Sequence, residues 1–310
     1  MSVSSLTPKH SGEYQHLASI RAAFSKKTMT DSASKTSNHQ IDPASLEALP
    51  HSFGVYIFKG EGTLPLYIGK SVDIRSRVMS HLRAPDEARM IAQTRRIDFI
   101  ETAGEMGALL LESRMIKAQN PLFNQRLRRL RTLCAIHLKP TDQGTEPEIV
   151  DSQSVHFGAT TGLYGLFSST HAAKEKLKEL AQQHRLCLSI LGLEKTSKRG
   201  CFGLQIKTCL GACIGQEERA RHDNRFLSAL TDSQVEVWPF AGPIDVIETS
   251  GAWVQKHRIN NWCYLGTQCS KAGNASPMSE FKPNDFDLDS YKILVKPVLL
   301  KTVQFEIVVP

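Results

Sequence analysis

The chain has 310 residues, of which 41% are hydrophobic, and a formal net charge of +7 at pH 7, which together indicate two or three small globular domains. The positive charge favours a polyanionic partner, and no stretch approaches ~18 uninterrupted apolar residues, so a membrane-spanning helix is not expected. Seven cysteines in a chain without a secretory leader favour a reducing compartment, the cytoplasm, over a disulfide scaffold.

Residues 1–42 are rich in Ser, Thr, Lys and His and contain few large apolar side chains. Such a segment cannot bury enough surface to fold, so it is predicted to be a flexible leader. A short helix is expected to begin at Asp42-Pro43 and to end at Pro50. The rest of the chain is predicted to form a first domain over residues 43–133, a cysteine-rich domain over 134–219 and a C-terminal α+β unit over 220–310.

Two short apolar runs, Phe53–Phe58 and Leu66–Ile68, alternate around β-branched and aromatic residues and are joined by a glycine-containing link. This pattern predicts an antiparallel hairpin. Folding the hairpin brings Tyr56 and Tyr67 close together on one face. A single strand tyrosine is most often an ordinary strand residue, so the pairing of the two phenols is the informative feature.

A helix of about three turns is predicted next, with Ser71 as its N-cap and a buried apolar stripe that begins at Ile74. Arg77 and His81 are four residues apart, so they share a second face that can point at the hairpin tyrosines. The alternative is that this face is simply solvated.

A longer helix follows Gly104 and is terminated by Asn120-Pro121. Glu112 lies within its apolar run, where an unpaired carboxylate would be costly. A salt bridge to a neighbouring arginine would satisfy it, and a functional role for the carboxylate is the other possibility.

The segment Gly54-Val55-Tyr56, followed by Tyr67-Ile68-Gly69-Lys70-Ser71, resembles the motif of the GIY-YIG nucleases, and its wording is most similar to their UvrC branch. The resemblance implies an α+β fold: a GIY-YIG nuclease domain, with a small antiparallel sheet flanked by helices, over residues 43–133. In this family an arginine stands at the position of Arg77, and the metal ligand is a glutamate at the position of Glu112. UvrC proteins commonly have a tyrosine where this chain has His81.

The implied reaction is metal-dependent hydrolysis of a phosphodiester, for which a single glutamate suits Mg²⁺ or Mn²⁺. Tyr67 is predicted to be the base, with its pKa lowered by nearby positive charge, and Tyr56 to orient water or phosphate, although the two could be exchanged. Arg77 and the metal would stabilise the transition state, Lys70 would polarise the water network, and Asn124 would brace the site or touch phosphate. The predicted catalytic residues are Tyr56, Tyr67, Lys70, Arg77, His81, Glu112 and Asn124.

Directly after Asn124 comes the basic segment NQRLRRLRTL, which contains no acidic residue. A charge run is often only a solvated face, but beside a nuclease centre it is predicted to track DNA phosphates and to set affinity rather than sequence choice. Its arginines are Arg126, Arg128, Arg129 and Arg131.

Four cysteines gather within 27 residues with the spacing C-x13-C-x7-C-x3-C. Scattered cysteines are usually buried as small apolar residues, but this clustering predicts a metal centre. A tetrahedral zinc site and an iron–sulfur cluster both satisfy the chemistry. Resemblance to the cysteine-rich region of UvrC implies a [4Fe-4S] cluster as first choice, with zinc second. The predicted ligands are Cys187, Cys201, Cys209 and Cys213.

The C-terminal unit is predicted to contain a helix from about residue 216, a helix near Ala252–Asn261 and strands around Tyr291–Leu300 and Val303–Val309. Its alternating aspartates, among them Asp287 and Asp289, lack the glycine and glutamate of a calcium loop, so turn chemistry explains them better.

The overall plan resembles the shortened UvrC homologues of bacteria, the Cho group. The resemblance implies an endonuclease of nucleotide excision repair that UvrA and UvrB load on damaged double-stranded DNA and that nicks 3′ to the lesion but does not make the 5′ cut. A structure-specific or mobile-element GIY-YIG nuclease that needs no UvrB is one alternative. A non-catalytic DNA-binding repair scaffold is another.

Overall fold

Three antiparallel sheets and the helices packed on them make up the part of the chain that the computed structural model describes, residues 40–124, 132–195, 197, 199–271 and 286–308. The predicted α+β class is confirmed. The basic segment that carries Arg126, Arg128, Arg129 and Arg131 lies outside the described residues, as do residues 1–39 of the predicted leader.

The first sheet contains the predicted hairpin, with strand order β2-β1-β3. Its elements are α1 (Pro43–Glu47), β1 (Gly54–Lys59), β2 (Pro65–Ser71), α2 (Ile74–Arg83), a 3₁₀ turn (Pro85–Glu87), α3 (Ala88–Gln93), β3 (Arg96–Glu101) and α4 (Glu105–Gln119). Strand β1 is buried on both faces because α2 and α4 cover opposite sides of the sheet. Tyr56 and Phe58 pack with α2, whereas Val55 and Ile57 pack with α4.

The helix α2 begins two residues later than the sequence suggested, at Ile74. Ser71 is the last residue of β2, and its hydroxyl donates to the carbonyl of Asp73. Asp73 is the N-cap, because its carboxylate accepts the backbone N–H of Ser76 at 2.8 Å. The prediction of Ser71 as the cap is therefore wrong, because strand β2 extends as far as Ser71, which is still paired with Gly54.

The second sheet has the order β5-β4-β6 and belongs to the cysteine-rich part of the chain. Its elements are β4 (Cys134–Thr141), β5 (Gly144–Asp151), β6 (Leu163–Phe167), α5 (Thr170–His184), α6 (Phe202–Gln205), a 3₁₀ turn (Ala212–Ile214), α7 (Arg219–Leu230) and a second 3₁₀ turn (Thr231–Ser233). Phe226 and Leu230 of α7 are buried with Leu177 of α5 in one apolar cluster. The buried face of α7 thus packs with the elements of the second sheet, although the sequence analysis assigned this helix to the C-terminal unit.

The third sheet has the order β10-β7-β8-β9 and forms the C-terminal unit. Its elements are β7 (Ile244–Ser250), β8 (Trp253–Asn260), β9 (Cys263–Cys269), α8 (Leu288–Leu299) and β10 (Gln304–Ile307). Two predictions are wrong here. The expected helix near Ala252–Asn261 is strand β8, and the expected strand over Tyr291–Leu300 is helix α8.

The reasons for these two differences are visible in the packing. Strand β8 alternates correctly between its faces, but two of its inward residues are Gln255 and His257, so the apolar alternation is hidden. Helix α8 buries Tyr291, Leu294 and Val298, which is helical spacing despite a β-branched composition. Asp287 caps α8 by accepting the backbone N–H of Ser290 at 3.0 Å, which agrees with the turn chemistry predicted for this aspartate.

The largest apolar cluster joins the first and third sheets, since Met106 and Leu110 of α4 are buried together with Val246 of β7 and Leu294 of α8. Helix α4 therefore packs on two sides. Within the described residues no helix is both long enough and apolar enough to cross a bilayer. The cytoplasmic location stays a prediction.

Candidate functional site

The hairpin places the two tyrosines on the same face of the first sheet. In its register Tyr56 is opposite Gly69 and Phe58 is opposite Tyr67, so the tyrosines are diagonal neighbours with ring centroids 6.2 Å apart. A Cβ at Gly69 would lie only 2.3 Å from the Tyr56 hydroxyl oxygen. Glycine is therefore required at this point for the phenol to lie across β2, and the predicted proximity of the tyrosines is confirmed.

Helix α2 supplies an imidazole and a guanidinium to the same phenol. His81 is only 2% exposed, and its Nε2 is 2.7 Å from the Tyr56 hydroxyl. Arg77, at the solvent-facing side, forms a side-chain hydrogen bond with the same hydroxyl. A solvated face is thus excluded for His81, and both residues reach the tyrosines as the sequence suggested.

Glu87 completes this group and was missed by the sequence analysis. Its carboxylate contacts His81 Nδ1, on the far side of the ring from Tyr56. The 3₁₀ turn that starts at Pro85 brings Glu87 back to the end of α2. A histidine followed six residues later by a glutamate across a proline turn is the only local signal that could have suggested the pair.

Burial controls the pKa values of these groups. Burial, followed by the neighbouring Tyr67, raises the pKa of Tyr56 far above its ordinary value. Burial and then the charge of Glu112 raise the pKa of Tyr67, while Arg77 acts in the opposite direction. Desolvation therefore outweighs Arg77 at these phenols, and the lowering of the phenol pKa by Lys70, Arg77 and a bound metal together stays a prediction.

The pKa of His81 is lowered from 6.5, since burial outweighs the hydrogen bond and charge of Glu87, which raise it. The imidazole is accordingly neutral at pH 7. Glu87 accepts the Nδ1 proton, so Nε2 is left as the acceptor for the hydroxyl of Tyr56.

Glu112 extends from α4 to the outer edge of the sheet. Its Oε1 accepts the backbone N–H of Lys70 at 3.0 Å, so an arginine is not its hydrogen-bond partner there. Burial raises its pKa, the Lys70 backbone N–H lowers it, and its charge is close enough to raise the pKa of both tyrosines. The Lys70 side chain points elsewhere, with Nζ 2.6 Å from Glu105 Oε1.

Asn124 also binds the edge strand β2. Its side-chain oxygen accepts the Ile68 N–H at 2.9 Å, and its Nδ2 donates to the Ile68 carbonyl at 2.8 Å. Because β2 is an edge strand, its outward backbone groups have no neighbouring strand, and Asn124 and Glu112 take up successive outward N–H groups. The bracing that the sequence suggested for Asn124 is what this geometry provides.

The donor chemistry at Glu112 fits a hard divalent cation. Glu112 is a half-buried carboxylate whose charge acts on both phenols, and carboxylate oxygens are ligands that Mg²⁺ and Mn²⁺ prefer.

The predicted cysteine ligands form one cluster. The sulfurs of Cys187, Cys201 and Cys209 are buried and lie within 4.8 Å of one another. Cys213 packs against them and shares a thiol hydrogen bond with Cys187. Burial raises the pKa of Cys209 to about 12, because a buried thiolate is no longer solvated by water. Soft sulfur donors at this spacing fit a zinc ion or an iron–sulfur cluster.

Three families match the chain in succession. The family described as UvrC-like GIY-YIG domain matches residues 52–125, the UvrC/Cho excinuclease middle domain matches residues 133–232, and the excinuclease Cho C-terminal domain matches residues 243–308. These ranges correspond in order to the first, second and third sheets.

Whole-chain relatives carry the same descriptions. The chain is 49% identical to Excinuclease cho of Salmonella typhi, over 84% of this chain and 86% of that protein. It is 46% identical to Excinuclease cho of Escherichia coli (strain K12), over 82% and 85%. Among solved structures, the GIY-YIG N-terminal endonuclease domain of UvrC from Thermotoga maritima, bound to its catalytic divalent cation magnesium, is 31% identical and covers 26% of this chain and 92% of that chain, with a TM-score of 0.25.

Proposed function

Because the chain belongs to the excinuclease Cho family and is a GIY-YIG nuclease, we propose that it nicks damaged duplex DNA on the 3′ side of a lesion after UvrA and UvrB have loaded it. The observation that supports this most is the convergence of Tyr56, Tyr67, His81 and Arg77 with Glu112 at one edge of the first sheet.

Glu112 is the residue that would hold Mg²⁺ or Mn²⁺, and Lys70 fixes its carboxylate through a backbone N–H. When bound, the ion would polarise the scissile phosphate and make the attacking water more acidic.

The chain's own residues set the direction of proton movement. His81 donates from Nδ1 to Glu87, so its Nε2 must accept from Tyr56. The two phenols share a hydrogen bond, and because the Tyr56 proton goes to His81, we assign Tyr67 as the donor to the Tyr56 oxygen. Tyr67 keeps its lone pairs for the proton of the attacking water. The proton acquired by Tyr67 is passed through Tyr56 to neutral His81, so neither phenol has to persist as an anion.

The remaining residues position the reacting groups or neutralise negative charge. Arg77, which bonds the Tyr56 hydroxyl, is placed to stabilise negative charge that develops on the phosphate. Asn124 braces β2, and Lys70 acts through its backbone while its side chain is paired with Glu105. Arg126, Arg128, Arg129 and Arg131 remain proposed contacts to the DNA backbone.

The cysteine cluster is proposed to hold a [4Fe-4S] cluster, with zinc as the second choice. Either group would tie Cys187, which follows α5, to the loops that carry Cys201, Cys209 and Cys213. Dependence on UvrB is supported by the similarity to UvrABC system protein C of Methanosarcina barkeri, which is 33% identical over 55% of this chain and 32% of that protein.

An incision assay tests the proposal. A duplex with one defined lesion is labelled in turn at either end and incubated with the purified chain, Mg²⁺, and either UvrA with UvrB or neither. The expected result is one nick, on the 3′ side, that requires UvrB. Nicking of undamaged or branched DNA without UvrB would favour a structure-specific nuclease, and release of a doubly incised oligonucleotide would contradict a 3′-only cut.

A further inference from the structure

The C-terminal unit forms hydrogen bonds with the first turn of α4, the helix that carries Glu112. Helix α4 starts without a side-chain cap of its own, because its N-cap position is Gly104. Glu248 of β7 takes that place from the third sheet: its Oε1 accepts the Met106 N–H at 2.9 Å, and its Oε2 accepts the Gly107 N–H at 2.7 Å. A carboxylate at a helix N-terminus satisfies orphan donors and complements the helix dipole.

Two glycines allow this approach. A Cβ at Gly104 would lie 2.3 Å from Glu248 Oε1, and a Cβ at Gly107 would lie 2.7 Å from His257 Cε1. Glycine is tolerated at the N-cap position of Gly104, and both glycines lack the side chain that would hold the third sheet away. Close contact with the C-terminal unit is thus built into the first turn of α4.

A buried chain of hydrogen bonds fixes Glu248. His257, which is 1% exposed, lies between Glu248 Oε2, 3.1 Å from its Nε2, and Thr267 Oγ1, 2.7 Å from its Nδ1. The neighbouring Gln255 accepts the backbone N–H of Ala103 at 2.8 Å, just before α4. Gln255 and His257, the polar residues that interrupt the apolar alternation of β8, are thus the residues that contact the start of α4 directly or through Glu248.

The C-terminal unit also contacts the other end of α4. Lys117 Nζ lies 2.6 Å from Asp287 Oδ1 and 2.8 Å from Asp289 Oδ2, at the start of α8. Between the two ends, the guanidinium of Arg114 lies 5.5 Å from the ring centroid of Tyr264. Glu112 sits between these attachments, one to two turns from each.

We infer that the described part of the C-terminal unit, residues 244–271 and 286–308, is a clasp that sets the position of α4 and thereby of the Glu112 carboxylate, with Glu248 as its principal positioning residue. The inference rests on the proposed role of Glu112 in DNA cleavage. On this inference the third sheet contributes to catalysis, because it orients the helix α4 that carries the proposed metal ligand Glu112.

The test compares Glu248→Ala and Glu248→Gln with Glu306→Ala. Glu306 lies on the same sheet, at β10, and pairs with Lys256 away from α4, so its removal is a matched loss of charge. Three quantities are measured for each variant: hydrogen exchange of the α4 amides, affinity for damaged duplex, and the single-turnover nicking rate with UvrA and UvrB.

Glu248→Ala is expected to speed exchange at the start of α4 by about tenfold or more, because two hydrogen bonds to a charged acceptor are lost. The nicking rate should fall at least as much, while DNA affinity stays within about twofold, since no DNA contact is altered. Glu248→Gln should recover part of both quantities, because one acceptor oxygen remains, and Glu306→Ala should match the wild type.

If the α4 amides of Glu248→Ala exchange at the wild-type rate, the proposed clasp is overturned. Faster exchange with a normal nicking rate would overturn the positioning role. If the wild type does not nick at all, the proposed function fails while the exchange arm still decides the clasp. If Glu248→Ala does not fold, Asp289→Asn replaces it, because this change weakens only the contact with Lys117 near the end of α4. Faster amide exchange at the end of α4 together with slower nicking supports the clasp, and unchanged exchange and nicking overturn it.

Discussion

Replacing Glu87 tests the proton relay at its far end. Glu87→Gln keeps an acceptor for the Nδ1 proton of His81 but removes the charge, whereas Glu87→Ala removes both. Glu87 raises the pKa of His81 against burial, so either change should lower that pKa further below 6.5. Since neutral His81 is the active form, activity is lost as pH falls through this pKa, and the acid limb of the rate profile should move to lower pH.

The size of the effect follows from the contact. A hydrogen bond to a charged group contributes about 1.5–3 kcal/mol, which corresponds to about one to two pKa units. Because 30% of the Glu87 side chain is exposed, solvent screens the pair, and the lower end applies. Glu87→Gln should therefore move the acid limb by about one unit with little loss of rate on the plateau. Glu87→Ala should also lower the plateau by about tenfold or more, because the imidazole tautomer is no longer fixed.

The assay is the single-turnover nicking rate on a damaged duplex between pH 5 and 8, with DNA affinity measured at each pH. Asp86→Asn is the matched control, since Asp86 is exposed and raises the pKa of His81 through its charge alone, less than Glu87 does. It should move the limb only slightly and leave the plateau intact. An acid limb that moves to higher pH in Glu87→Gln, or a Glu87→Ala profile that matches the wild type, would refute the relay.

Three further substitutions probe the site and the cysteine centre. Gly69→Ala places a Cβ 2.3 Å from the Tyr56 hydroxyl; overpacking of about 1–3 kcal/mol should displace the phenol and lower the nicking rate much more than the melting temperature, and a normal rate would contradict the packing. Asn124→Ala leaves two groups of Ile68 without their partner, so faster amide exchange in β2 and about 1–2 kcal/mol lower stability are expected, whereas unchanged exchange would show that the brace is dispensable. Cys209→Ser should lower both the metal content and the melting temperature. Metal and sulfide analysis of the wild type identifies the bound group: iron with sulfide supports the iron–sulfur cluster, and zinc without sulfide supports the zinc site. A wild-type protein that contains no iron and no zinc would contradict a metal centre.

The parts of the fold that could be predicted are those fixed by local chemistry. The hairpin followed from strand alternation around a glycine link, and helix α4 ends where Asn120 adopts a left-handed conformation before Pro121. The proximity of Tyr56 to Tyr67 required only the hairpin and its diagonal pairing.

The parts that could not be predicted depend on contacts between distant segments. Glu87 acts only because a 3₁₀ turn returns to His81, and its spacing has no simple period. Strand β8 places Gln255 and His257 inward because they receive the start of α4, so its apolar pattern fails where the interface begins. The raised phenol pKa values follow from burial on a sheet covered by α2, which a count of nearby cations does not reveal.

Nicking by Glu112→Gln tests the central claim most directly. The substitution keeps the side-chain shape and an oxygen that can accept the Lys70 N–H, but it removes the charge proposed to hold the divalent cation. On an end-labelled damaged duplex with UvrA, UvrB and Mg²⁺, the nicking rate should fall by about a thousandfold while DNA binding is retained, because several kcal/mol of transition-state stabilisation are lost. A Glu112→Gln protein that nicks at the wild-type rate would contradict the assignment of this edge of the sheet as the catalytic centre.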